Sequence, residues 1–334
     1  MAHKVALTGI KPTGSPHVGN YLGAILPGLE LAQQPDCTAY YFVADYHALT
    51  GAQDRERLIH ETYEVAATWL AFGLDPEQAV FYRQSDVPEV FELSWILACF
   101  TPKGFMNKAH AYKAAADRNR EAGEPEDSGV GMGLYTYPVL MAADILIVDA
   151  DLVPVGKDQV QHVEIARDIA QRINHHYGDG TLHLPDHSLR AQTAIVPGLD
   201  GRKMSKSYGN TIPCFLPPKK LRKTVMRIQT DSTPPEDPKD PDDSVVFGIH
   251  RALLDADGEA ALAAEYRAGI SWGGAKQLLY EDLEKHLAEP RERYEALMAD
   301  KPRLDAILES GAEEARKVST PVLKRVRKAL GVDR

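Results

Sequence analysis

The sequence predicts an α/β chain, a parallel sheet doubly wound with helices and followed by an all-helical C-terminal part. Three observations carry this. Short apolar, β-branched or aromatic runs alternate with segments of helical spacing through the first half, the pattern of a parallel sheet with crossover helices. A short strand, a turn rich in glycine and proline, and a helix start follow one another over 5–20. Beyond Pro213 only helical patterns remain.

The elements follow in order. Residues 5–7 form the first strand, and the turn after it opens a helix near His17 to Asn20. Free N–H groups and the helix dipole make such a turn a phosphate site. It lacks both G-K-[ST] and G-x-G-x-x-G, so it is neither of the common phosphate loops. The helix continues over 21–33, with Pro27 a kink or boundary. Residues 38–43 read as the second strand. Asp54 caps a helix of regular apolar spacing that Gly73 closes. A third strand lies at 79–82 and a helix opening on Pro88 at 88–100. Residues 101–133 turn polar and form a helical surface insertion with a flexible loop at 121–131. Apolar character returns at 134–145, 146–155 alternates into extended chain, and Asp158 caps a helix ending about Tyr177. Residues 193–196 are the last expected strand, delivering a loop at 201–210. Further on, 219–229 is helical, 230–243 is a surface loop with four prolines and five aspartates, and helices punctuated by Gly258, Gly273, Gly274, Pro290 and Pro302 complete the chain. The division is a catalytic domain at 1–212 and a helical domain at 213–334.

Composition narrows the function classes. A length of 334 residues suits two domains, and 44% hydrophobic with 26% charged content is that of a soluble globular protein. No apolar run approaches a membrane span and no signal segment precedes the first strand, so the expectation is a cytoplasmic protein with no membrane partner. Cys37, Cys99 and Cys214 are widely spaced, which suggests neither disulfides nor structural zinc. A net charge of -10 argues against a protein that coats nucleic acid by charge alone. Residues 215–334, however, hold 21 Lys and Arg against 22 Asp and Glu, so the helical part can present a local basic face.

The chemistry concentrates in three stretches. The loop G-R-K-M-S-K-S-Y-G-N carries Lys203 and Lys206 between Gly201 and Gly209. Lysine is a point charge on a flexible stem, suited to following a phosphate whose charge moves; read alone, the loop is a solvated basic turn, and the stretch over 5–20 is what overturns that reading. The stretch L-Y-T-Y-P-V-L-M-A-A-D-I places Tyr137, Met141 and Asp144 on one helix face. That face describes a slot for a flat apolar ring with one donor at its end, or else a core stripe with Asp144 as a local cap. A third stretch reads V-P-V-G-K-D-Q over 153–159.

The pairing of P-H-V-G-N with K-M-S-K-S resembles the two signatures of class I aminoacyl-tRNA synthetases, with His17, Val18, Gly19 and Asn20 in the places of H-I-G-H. Asn20 in the fourth place looks like the tryptophanyl members of the tyrosyl/tryptophanyl branch. The resemblance implies a Rossmann-like catalytic domain that takes ATP with Mg²⁺ as a substrate complex, L-tryptophan and tRNA(Trp), in a homodimer. It implies catalytic roles for His17, Asn20, Lys203 and Lys206. ATP would meet Lys11, Pro12, Thr13, Gly19, Asn20, Gly156, Asp158, Lys203, Met204, Ser205 and Lys206. Tryptophan would meet Leu7, His47, Tyr137, Met141, Asp144 and Gln159, Tyr137 and Gln159 holding its ammonium group; a satisfied core histidine is the other reading of His47. The tyrosyl members typically carry Gln where Met141 stands, and an indole needs wide apolar contact plus one acceptor. Tyrosine remains the alternative substrate, and a non-tRNA adenylate-forming ligase or a non-catalytic RNA-binding relative the alternative class. Lys11 departs from the Gln of many tryptophanyl members, Lys113 is a candidate for a third lysine, and no four-cysteine iron-sulfur cluster is implied. Arg316, Lys317, Lys324, Arg325, Arg327 and Lys328 near the C-terminus read as tRNA backbone contacts or as a solvated helix end. The apolar face of 90–100 is the candidate dimer surface.

Overall fold

The computed structural model describes residues 3–51, 54–156, 159–189 and 196–333. β1 (Lys4–Ile10) passes through the turn into α1 (Val18–Asn20), a π-helical stretch (Tyr21–Ile25) and α2 (Leu26–Ala32), with Pro27 in the first turn of α2, where no backbone donor is needed. β2 (Cys37–Val43) leads through α3 (Asp45–Ala48) to α4 (Arg55–Ala71), whose N-cap Asp54 accepts from the Arg57 N–H at 2.7 Å. There follow β3 (Val80–Arg83), α5 (Glu89–Cys99), α6 (Lys103–Met106), α7 (His110–Glu121), α8 (Met132–Leu146), β4 (Leu152–Val155), α9 (Val160–Tyr177) and β5 (Asp186–Leu189).

These strands pair in parallel in the order β3-β2-β1-β4-β5. Both faces are covered. Tyr41 and Val43 of β2 join a core with α1, α2 and α4, while Tyr40 and Phe42 join a second core with α5, α8 and α9, the period-two alternation of a strand buried on both sides. Chain order reverses between β1 and β4, and the crevice at the C-terminal ends of these two strands is where such sheets bind ligands.

One expectation needs correction and two cannot be tested. The edge strand β5 at 186–189 escaped the sequence reading because Asp-His-Ser-Leu offers no apolar run. The expected strand at 193–196 falls, except for Val196, outside the described residues, as does the cap Asp158; among the described residues α9 has Gln159 at its N-cap position. The surface insertion is two helices, and Asn119 Nδ2 donates to the Glu126 and Ser128 carbonyls at 2.8 Å, holding the loop after α7.

The C-terminal helices are α10 (Pro218–Val225), α11 (Val245–His250), α12 (Ala256–Ala268), α13 (Trp272–Ala299) and α14 (Lys301–Leu330). Most of the expected breakers mark helix starts: Gly258 lies in the first turn of α12, Gly273 and Gly274 in that of α13 and Pro302 in that of α14. Gly258 and Gly274 supply first-turn N–H groups to the caps Asp255 and Ser271, and Pro290 lies inside the 28-residue α13. Packing against buried Leu287 and Arg291 next to it carries the helix through. α14 starts in the first core at Leu304 and Leu308, then enters the second at Ala312, Ala315 and Val326. It crosses the edge strand β3 at Gly311, where a Cβ would lie 1.9 Å from the Phe81 carbonyl oxygen. Three arginines of α14 are committed inside the chain: Arg316 to Glu89 at 2.9 Å, Arg325 to Asp149 at 2.6 and 3.1 Å, and Arg327 to Glu92.

Candidate active site

A cavity of about 560 Å³ opens at the switch between β1 and β4. Leu7, Thr8 and Gly9 of β1, Phe42 of β2, and Val153, Pro154 and Val155 of β4 form its sheet side, and α8 closes it with Tyr137, Met141 and Asp144. The i, i+4, i+7 spacing of these three puts them on one wall because α8 passes unbroken over Pro138. Asp144 is 2% exposed, and its carboxylate accepts from Gln84 Nε2 at 2.8 Å and pairs with His47 Nε2 at 2.8 Å. Burial pushes the Asp144 carboxyl up from its usual range, and the two donors pull it back. The result is an acceptor at the end of an apolar slot. Tyr137 Oη lies 2.7 Å from His162 Nε2 on α9, so the two polar groups of the upper wall brace each other.

A smaller cavity of about 200 Å³ shares Thr8, Gly9 and Lys11 with the first and continues along Thr13, Gly14, Asn20 and Lys206. Here the two sequence signatures meet. His17 caps α1 through Nδ1, which accepts from the Asn20 N–H at 3.2 Å, while Asn20 Oδ1 accepts from the His17 N–H at 3.1 Å. Burial and the nearby Lys206 ammonium lower the His17 pKa to about 4, so its imidazole is neutral at pH 7 with the proton on Nε2. Asn20 commits its Oδ1 to this box and lines the cavity. The lysine loop reaches over from the other side. Lys206 Nζ donates to the Thr13 and Gly14 carbonyls at 2.8 and 2.6 Å, and the Gly19 N–H donates to Met204 Sδ at 3.3 Å. Asn210 builds the loop itself: its Oδ1 accepts from the Ser205 N–H at 2.9 Å, and its Nδ2 donates to Asp200 at 2.7 Å and to the Lys203 carbonyl at 3.2 Å. Only glycine fits opposite it, since a Cβ on Gly198 would lie 2.4 Å from Asn210 Cγ.

The family described as tRNA synthetases class I (W and Y) matches residues 2–288. The chain is 53% identical over 328 residues to the tryptophan–tRNA ligase of Pseudomonas aeruginosa, covering 98% of this chain and 73% of that one. It is 50% identical over 333 residues to that of Neisseria meningitidis, covering 99% of each. Among solved structures, the tryptophanyl-tRNA synthetase of Campylobacter jejuni complexed with ADP and tryptophan matches with a TM-score of 0.88 at 42% identity, covering 98% of this chain and 99% of that one. The chain belongs to the tryptophanyl-tRNA synthetases.

For a tryptophanyl-tRNA synthetase the expected residues distribute as follows. Leu7, Lys11, His47, Tyr137, Met141, Asp144 and Gln159 line the larger cavity, and Lys11, Thr13, Asn20 and Lys206 the smaller. His17, Gly19, Met204 and Ser205 stand behind them, joining the signatures rather than lining either cavity. Pro12 is buried, and Gly156, Lys203 and Lys113 are exposed; Asp158 lies outside the described residues. Sequence reasoning missed Gln84, His162 and Asn210. Gln84 directly follows β3, at the strand end where the sheet rule would have placed it. His162 sits one turn after Gln159, and Asn210 closes the lysine stretch itself.

Proposed function

We propose that this tryptophan–tRNA ligase binds the tryptophan side chain in the larger cavity, with the indole against Met141 and Phe42 and its N–H donated to Asp144. The buried carboxylate held by His47 and Gln84 is the observation that supports this: an acceptor without its donor is costly, and such a slot rejects a ring of different polarity by on the order of 10⁴-fold. ATP, as its Mg²⁺ complex, occupies the adjoining cavity along Thr13, Gly14 and Asn20. The tryptophan carboxylate attacks the α-phosphorus in line and pyrophosphate departs; the mixed anhydride then passes tryptophan to the terminal adenosine of tRNA(Trp). No protein nucleophile is needed, so catalysis is positioning and charge stabilisation. Neutral His17 fixes the turn from behind, Asn20 donates to phosphate, and Lys203 and Lys206 follow the pyrophosphate as it leaves.

We assign tRNA binding to the helical part at 213–334, and within it to α10. Lys219, Lys220 and Lys223, with Arg227 just past the helix, are exposed, and among the described residues none of them stands in an ion pair, in contrast to three arginines of α14. The homodimer contact falls on α5, although the face foreseen there is divided: Val90, Leu93 and Leu97 are core, while Trp95 is 72% exposed with Ala98 and Cys99 beside it. Sedimentation at equilibrium is expected to give a dimer for the parent chain and a monomer for Trp95→Glu; a parent monomer refutes the contact. A cytoplasmic location accords with these substrates, and no helix among the described residues is long and apolar enough to cross a membrane.

Amino-acid-dependent ATP–pyrophosphate exchange, run with each of the twenty amino acids and without tRNA, tests the reading. Exchange with tryptophan alone is expected, and Lys206→Ala is expected to slow it by about 10²- to 10³-fold. Exchange driven by tyrosine refutes the role of Met141 and Asp144; an unaffected Lys206→Ala refutes the role of the loop.

A further inference from the structure

α4 carries two buried carboxylates, Glu61 and Glu64, 6% and 5% exposed, on the side that meets the phosphate turn. Ser15 Oγ of that turn donates to Glu64 Oε1 at 2.6 Å. The Cβ position of Gly14 lies 3.3 Å from Glu61 Oε1 and 3.6 Å from Lys206 Nζ, so the carboxylate and the ammonium approach one glycine together. The two carboxylates share one close cation, Arg57, among their hydrogen-bond partners in the described residues. Glu61 Oε1 accepts from Arg57 Nε at 2.8 Å, but that guanidinium is exposed, and Glu61 Oε2 is buried with no hydrogen-bond partner among the described residues. Glu64 Oε1 accepts from the Tyr294 hydroxyl of α13 at 3.2 Å, a neutral donor, and has His60 at 3.7 Å. A buried carboxylate needs a countercharge, and Lys206 is the cation that enters this space from the opposite loop. Its own hydrogen bonds go to neutral carbonyls, and the two glutamates favour its charged form against the burial that opposes it.

We propose that Glu61 and Glu64 form a countercharge seat that holds Lys206, and with it the lysine loop, against Thr13 and Gly14 until nucleotide arrives. A triphosphate must then draw Lys206 off the seat. This rests on the reading of Lys206 as the lysine that follows pyrophosphate. Glu61 and Glu64 are positioning residues, acting through Lys206 and not on the substrate. The seat trades nucleotide affinity for a defined resting place of the loop, so weakening it tightens ATP binding, an effect that a merely structural role does not produce.

The test is the exchange reaction, with KM for ATP and for tryptophan measured separately in the parent, Glu61→Gln, Glu61→Asp, Lys206→Met and the Lys206→Met/Glu61→Gln double variant. Glu61→Gln is expected to lower KM for ATP about 3- to 10-fold, the size of a coupling between close charges, with KM for tryptophan unmoved. Glu61→Asp keeps the charge and returns KM for ATP toward the parent value. In the Lys206→Met background the Glu61→Gln effect disappears. If it persists undiminished there, the carboxylate acts directly on the phosphates and the seat is refuted. An unchanged KM for ATP in Glu61→Gln, or a rise in both KM values, refutes it as well. Should Glu61→Gln fail to fold, Glu64→Gln carries the same expectations. A parent chain without exchange overturns the functional reading and this proposal together, whereas exchange in the parent with an additive cycle overturns the seat alone.

Discussion

His17 shows how one side chain serves two ends. Its Nδ1 is spent on the helix start, and its ring is kept neutral by burial and by the Lys206 ammonium, with a pKa of about 4. The stability consequence has a definite sign. Between about pH 4 and 6.5 the unfolded chain binds a proton on this histidine that the folded chain refuses, so the contribution is complete above pH 6.5 and is lost as the pH falls toward 4. Urea midpoints followed from pH 7 down to 4.5 are expected to fall less steeply for His17→Gln than for the parent. Equal slopes would show that other groups dominate the acid limb. Asp144 obeys the opposite logic: burial favours its neutral form, and only the donors His47 and Gln84 keep an acceptor there.

At the scale of elements, the legible parts were those with a local signal. Asp54, Gly73, Pro88 and Pro27 mark helix ends by their own backbone chemistry, and β2 announces itself by an apolar, aromatic run. The slot was legible because α8 carries Tyr137, Met141 and Asp144 on one strip of a single helix. Long-range partners were not: Gln84 reaches Asp144 across 60 residues, and nothing in Q-S-D says so. Pro290 misled because proline in isolation predicts a break, whereas α13 is held by the residues packed around it. The crossing of α14 over β3 also has no local signature beyond a lone glycine. Gly311→Ala is expected to push α14 off the Phe81 carbonyl and destabilise the chain by about 1 to 3 kcal/mol, read as a lowered denaturation midpoint; a loss below about 0.5 kcal/mol would mean that the helix slides without penalty.

At the scale of the whole molecule, an acidic chain keeps a cluster of exposed cations on α10. Arginines on α14 are spent docking that helix to α5 and to Asp149, while the basic residues of α10 remain exposed. Charge reversal of Lys219, Lys220 and Lys223 to Glu is therefore expected to lower tRNA charging about tenfold or more relative to pyrophosphate exchange, and to flatten its salt dependence. Arg325→Ala should instead lower the thermal midpoint by about 1 to 3 °C with little change in the charging-to-exchange ratio. The reverse pattern would move the tRNA surface to α14. The path of α14 also sets an order of events during synthesis. β3 is complete by Arg83, yet the helix that crosses its outer edge spans Lys301–Leu330. For most of translation the sheet thus has an unprotected border, able to recruit a stray strand, and that exposure ends only when α14 emerges and folds over it.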